Sequence, residues 1–144
     1  ASDVYKRQVY LAAPMRGVRE ALAHVKELCA LLESLGHEVL TKHVTEDVLD
    51  VERGLTPREV FERDLRLLDE ADVMVAEVSY PSLGVGFELA YFLLKGKPAA
   101  ALVLKERRRS LSALIEGISW PNFRLVEYER PSDAVKRLLE LGLL

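Results

Sequence analysis

Residues Asp72 to Leu94, DVMVAEVSYPSLGVGFELAYFLL, constrain this chain more than any other stretch. Val73 to Val78 is a short, largely β-branched apolar run with the length of a buried strand. Leu89, Phe92 and Leu93 then recur at helical spacing. Between them, Ser79-Tyr80-Pro81-Ser82-Leu83-Gly84-Val85-Gly86 gathers breakers and small polar residues that a plain connection does not need. A strand–loop–helix unit of this kind sets its loop at the carboxyl edge of a sheet, where open α/β folds bind ligands. Glu88 falls in or near the first turn of the helix, where the positive helix end is expected to hold a carboxylate ionised. The candidate site is placed here.

Length and composition narrow the class. A chain of 144 residues is expected to form one domain, and 49% hydrophobic with 30% charged residues is the balance of a soluble globular protein. A net charge of −3 offers no bulk surface for nucleic acid or an anionic membrane. The single cysteine, Cys29, excludes an intrachain disulfide and a cysteine zinc cluster. No apolar run reaches the roughly 18 residues of a membrane span, and no signal-peptide core is seen at the N-terminus. The expected compartment is therefore the cytoplasm. Residues Ala1 to Gln8 are polar and unpatterned and read as a leader, with the folded domain spanning 9–144.

In chain order, Val9 to Ala13 is a strand ended by Pro14, and Met15-Arg16-Gly17 follows as a turn. The next helix buries Val18, Leu22, Val25, Leu28 or Cys29, and Leu32, with Gly36 as its C-cap. A glycine turn into a helix N-terminus offers unpaired N–H groups to an anion, and Arg16 adds a guanidinium that can grip a phosphate; the alternative is a tight turn with an exposed arginine. Glu38 to Leu40 is a second strand. Thr41 to Leu55 is a long polar connection, a lid or a pocket wall, in which His43 is either solvated or part of the site. Thr56-Pro57-Arg58-Glu59 announces a helix with an N-cap, an N1 proline and a capping-box glutamate.

That helix is expected to bury Phe61, Leu65 and Leu68, and Asp64 shares their face. A buried carboxylate is costly unless paired, so Asp64 either caps a neighbouring loop or belongs to the site. Asp69 and Asp72 flank the next strand and call for no function. Ala99 to Leu104 is a strand, Lys105 to Arg109 a solvated charge run, Ser110 to Gly117 a short helix, and Phe123 to Val126 the last strand. A terminal helix opens at Pro131-Ser132 with Val135, Leu138 and Leu139 inward. This order predicts a flavodoxin-like α/β fold: a five-stranded parallel sheet, order 2-1-3-4-5, with helices on both faces. Tyr10, Arg16, Gly17, Ser82, Gly84, Gly86 and Glu88 should then border one crevice above strands one and three, with Asp64 in reach. Two carboxylates with backbone donors and no metal ligands suit attack at a sugar anomeric carbon, one carboxylate acting on the carbon while the other handles a proton.

Five blocks carry a family resemblance: YLAAPMRG at Tyr10 to Gly17, KHV at Lys42 to Val44, RDL…EADVMVAEV at Arg63 to Val78, PSLGVGFELA at Pro81 to Ala90, and LSALIEG at Leu111 to Gly117. In order and spacing the chain resembles the 2′-deoxynucleoside 5′-monophosphate N-hydrolases, relatives of the nucleoside 2-deoxyribosyltransferases, over nearly everything after residue 8. The resemblance implies a catalytic domain with Glu88 as nucleophile, Asp64 as the partner carboxylate at the sugar, and Tyr10 beside it. Met15, Arg16, Gly17, Ser82 and Gly84 match substrate contacts, chiefly to phosphate, and His43 a residue near the base. Ser112 matches a serine that reaches the phosphate across a homodimer interface. No cofactor or metal is implied. Ala13-Pro14 departs from a Gly-Ser pair frequent in the hydrolases and leans towards the transferases, and Val18 replaces a glycine. The expected activity is hydrolysis of a nucleotide N-glycosidic bond. Deoxyribosyl transfer, a ribonucleotide (CMP-type) hydrolase and a nucleotide-binding sensor are the alternatives.

Overall fold

A computed structural model describes residues 6–14, 22–46 and 50–144. Met15, Arg16, Gly17 and Val18 lie outside the described residues. The strands β1 (Gln8–Ala12), β2 (Glu38–Val39), β3 (Val73–Glu77), β4 (Ala99–Leu104) and β5 (Phe123–Tyr128) pair in parallel in the order β2-β1-β3-β4-β5. The sheet is the one expected. Its registers are direct, with Val9 opposite Val73 and Leu11 opposite Val75, and Val75 opposite Ala100. Both β3 and β4 are buried at every position, as strands covered on both faces require.

Alternation along the strands sorts the core into two layers. Val9, Leu11, Val73 and Val75 meet Val25, Leu28 and Leu32 of α1 (Leu22–Ser34) and Val135 and Leu138 of α5 (Pro131–Glu140). Tyr10, Ala12, Met74 and Ala76 point the other way, against Leu68 of α2 (Pro57–Glu70) and Leu89 and Phe92 of α3 (Leu83–Leu94). The two-residue period therefore decides that Tyr10 faces the layer that carries both candidate carboxylates.

Local signals account for the helix ends. Thr56 accepts from the Glu59 N–H at 3.1 Å while the Glu59 carboxylate accepts from the Thr56 N–H at 2.9 Å, a complete capping box. Gly36 follows α1 with φ of 92°, and the His37 N–H reaches back to the Leu32 carbonyl at 3.2 Å, closing a Schellman turn. The short α4 (Ala113–Glu116) begins at Ser112.

Several expectations need correction. Gln8, placed in the leader, is the first residue of β1, and its N–H donates to Asp72 at 2.8 Å. The second strand stops at Val39 rather than Leu40, because Thr41 uses its hydroxyl where the ladder would continue. Its Oγ1 accepts from the Leu11 N–H at 2.9 Å and donates to the Leu11 carbonyl at 2.6 Å. The Thr41 to Leu55 connection carries two 3-10 turns, Lys42–Thr45 and Asp50–Arg53. The charge run is also a 3-10 turn, Lys105–Ser110, with Arg108 paired to Glu116 and Glu127. Leu139 is exposed, its place on the inner face of α5 taken by Ala134. Phe61 is half exposed, because its face of α2 borders a cavity instead of the sheet.

Candidate active site

A cavity of about 580 Å³ opens at the carboxyl edge of the sheet beside β1 and β3, the point where strand order reverses. Its floor is Ala12 and Ala13, small enough to leave room above the strand end. One wall is apolar, built by Val60, Phe61 and Leu65 of α2 and by Phe87 of α3, with the Phe61 and Phe87 rings 6.2 Å apart. The other end is polar: Glu88, Asp64, His43 and Asp50 all border the same space. A flat ring would have an apolar surface to lie on, and carboxylates stand at its edge.

Glu88 owes its environment to where α3 starts. Ser82 is the N-cap, its hydroxyl accepting from the Val85 N–H at 3.3 Å. Glu88 is thus in the second turn, and the Gly86 N–H is already given to the Ser82 carbonyl at 3.1 Å. The expected stabilisation by the helix end is corrected accordingly, since the dipole effect fades within the first turn. Burial dominates instead and pushes the Glu88 carboxyl up to about 7; the nearby Asp64 charge adds to this, while the Tyr10 hydrogen bond and Arg63 oppose it. Glu88 is ionised above that pH and protonated below it.

Tyr10 projects from β1 beneath the cavity, and its hydroxyl donates to Glu88 Oε2. Its side chain is fully buried, and burial together with the Glu88 and Asp64 charges holds the phenol far above its ordinary range. It remains a neutral donor at any physiological pH. Asp64 does not cap a loop and does not sit in purely apolar surroundings. Its Oδ1 accepts from Arg63 Nε at 3.0 Å and lies 3.8 Å from His43 Nε2.

The structure therefore brings Tyr10, His43, Asp64, Ser82, Gly84 and Glu88 to one crevice. Ser112 is not brought there: it is exposed, caps α4 by accepting from the Ile115 N–H at 3.4 Å, and does not line this cavity. Sequence reasoning missed Asp50 and the role of Arg63. Asp50 sits in an acidic run with Glu46, Asp47 and Glu52 and carries no mark of its own; the only signal for Arg63 was its adjacency to an inward aspartate. Among the described residues, no three His, Cys, Asp or Glu side chains group as a metal site, and no helix is long and apolar enough to cross a membrane.

Fold and site together define an α/β protein with a carboxylate-lined pocket at its topological switch point. A family model described as nucleoside 2-deoxyribosyltransferase matches residues 9–127, and the chain belongs to that family. It is 69% identical over 131 residues to a Thermofilum pendens protein named "Putative 2'-deoxynucleoside 5'-phosphate N-hydrolase 1", covering 91% of this chain and 92% of that one. It is 41% identical over 112 residues to the 5-hydroxymethyl-dUMP N-hydrolase of Mus musculus, covering 76% of this chain and 64% of the mouse protein. Its fold is similar to that of Clostridium botulinum CMP N-glycosidase, BcmB, with a TM-score of 0.68 at 21% identity, over 94% of this chain and 99% of that one.

Proposed function

We propose that this chain hydrolyses the N-glycosidic bond of 2′-deoxynucleoside 5′-monophosphates, giving free base and deoxyribose 5-phosphate. One observation carries the reading: Glu88, held by the Tyr10 hydroxyl, shares with Asp64 the polar end of a cavity whose other wall is aromatic. The names of the relatives support the same bond and substrate class. The ionised Glu88 attacks C1′ of the sugar, the C–N bond breaks with its electron pair going to the base, and the base takes a proton from solvent. Water then adds to C1′ of the glycosyl-glutamate and frees Glu88, its proton passing to Asp64 and from there back to solvent, which restores the Asp64 carboxylate. Tyr10 holds the attacking carboxylate in place throughout. Arg16, Gly17, Ser82 and Gly84 are the proposed phosphate contacts, and the aromatic wall takes the base.

The test is a panel of deoxynucleotides, ribonucleotides and nucleosides, each with and without a second base, followed for free base and new nucleoside. Free base from deoxynucleoside monophosphates, with little turnover of the matching nucleosides, is the expected result. New nucleoside formed with the second base would establish transfer instead. No release from any substrate would leave only a binding protein.

The site is further proposed to be completed in a homodimer by Ser112 of the second copy. Supporting this, Leu83 is 97% exposed, and Phe87, Leu94, Leu114 and Trp120 also leave apolar surface in water. When Ser112→Ala and Glu88→Ala proteins are mixed and allowed to exchange subunits, half the sites of each heterodimer regain both residues. Activity of the mixture should exceed the sum of the two parents. A fully active monomer in sedimentation would overturn the assignment.

A further inference from the structure

We propose that Arg63 is a positioning residue of this site, gripped by Asp50, which fixes His43 in a single tautomer and holds the Asp64 carboxylate at the cavity; the inference rests on the N-hydrolase reading above. One guanidinium meets three partners. Its Nη1 and Nη2 donate to the two Asp50 oxygens at 3.0 and 2.8 Å, a fork-to-fork pair. Its Nε donates to Asp64 Oδ1 at 3.0 Å, and Nη2 lies 2.9 Å from the same oxygen. Its Nη2 also lies 3.0 Å from His43 Nε2. All four side chains are at most 22% exposed, so water competes weakly for these contacts.

The chemistry of the donors decides the histidine. Arginine stays protonated and has no acceptor, so Nε2 must be the accepting nitrogen and the neutral ring carries its proton on Nδ1. His43 is thereby left with a donor and no free lone pair, which suits a base edge presenting an acceptor and rejects one presenting a donor. The charged groups that act on it are the Arg63 guanidinium, which lowers its proton affinity, and the carboxylates of Asp64, Asp50 and Glu46, which raise it. Burial first and Arg63 second keep its proton affinity below the ordinary imidazole range, so the neutral form persists at neutral pH. The three partners come from separate elements: His43 and Asp50 from the two 3-10 turns of the connection, Asp64 from α2. Arg63 thus ties the pocket wall to the helix that carries Asp64. A lysine has the charge but not the planar fork that reaches all three.

Histidine-labelled protein and steady-state kinetics test this together. Long-range ¹H–¹⁵N spectra of the wild type should show His43, assigned by loss of its signal in His43→Gln, with Nδ1 protonated and Nε2 bare. In Arg63→Leu the ring should shift towards the Nε2–H form favoured by free histidine, and its titration midpoint should move up because the facing cation is gone. kcat should fall on the order of 100-fold, the effect of misplacing reacting groups by about an ångström, with KM changed far less. Arg63→Lys should recover neither the tautomer nor kcat. Asp50→Asn should show the same changes of tautomer and kcat in weaker form, while the loss of its carboxylate charge moves the His43 midpoint down rather than up. An unaltered tautomer in these variants, or wild-type kcat in Arg63→Lys, would overturn the proposal. If Arg63→Leu does not fold, Arg63→Lys and Asp50→Asn decide the same question. A wild-type protein that releases no base refutes the hydrolase reading alone, and the tautomer still decides the part played by Arg63.

Discussion

Glu88→Ala is expected to lower base release by on the order of 10⁴-fold or more, since without the carboxylate no glycosyl-enzyme forms and the remaining pocket only binds. Glu88→Asp should lose most of the activity as well, because one methylene less withdraws the oxygen from a carbon it must approach to about 3 Å. A 2-fluoro-sugar nucleotide, which slows breakdown of the intermediate, should leave a covalent adduct on the peptide carrying Glu88, visible by mass spectrometry. An active Glu88→Ala protein, or an adduct on another residue, would sink the assignment. The pH profile gives an independent check. Burial pushes the Glu88 carboxyl up to about 7, and only the ionised form attacks, so kcat/KM should fall tenfold per pH unit below that value and level off above it. An acid limb at the ordinary glutamate value, near ~4.3, would mean that the carboxylate is better solvated than its place beneath the cavity indicates.

The parts of this site that were readable in the sequence are those fixed by period and punctuation. The apolar run placed Val73 to Val78 in a central strand, and Thr56, Pro57 and Glu59 fixed the start of α2 to the residue. With that start known, Asp64 had to share a face with Leu65 and Leu68, and it does line the cavity with them. What escaped were facts of the third dimension. Glycines at 84 and 86 looked like loop, yet Ser82 caps the chain early and both are helical, which sets Glu88 in the second turn, where burial pushes its carboxyl up to about 7. Phe61 obeyed the apolar period but met a cavity where a core residue would meet the sheet, so its ring stays half exposed as a pocket wall. The Arg63 contacts depend on a loop of 3-10 turns whose path no periodicity encodes. The resemblance supplied His43, but only the placement of Arg63 and Asp50 shows how that ring is held.

Asp64→Asn should reduce kcat by on the order of 10²- to 10³-fold, the usual weight of a positioned acid–base group, with a much smaller change in KM. The substitution keeps the shape of the side chain and an oxygen that can still accept from Arg63, so the pocket and the Asp50 clamp should survive it. What it removes is a charge and a place for a proton. The lost charge has a consequence of defined sign for its neighbour. The Asp64 carboxylate raises the Glu88 value, so in Asp64→Asn Glu88 should ionise more readily and the acid limb of kcat/KM should move to lower pH. The variant would then hold a larger fraction of competent nucleophile at pH 6 and still turn over slowly. That combination separates the two roles: were Asp64 only a charge that tunes Glu88, its removal would speed the reaction on the acid side. Wild-type kcat in Asp64→Asn, or faster turnover at pH 6, would show that the proton is handled elsewhere in the pocket.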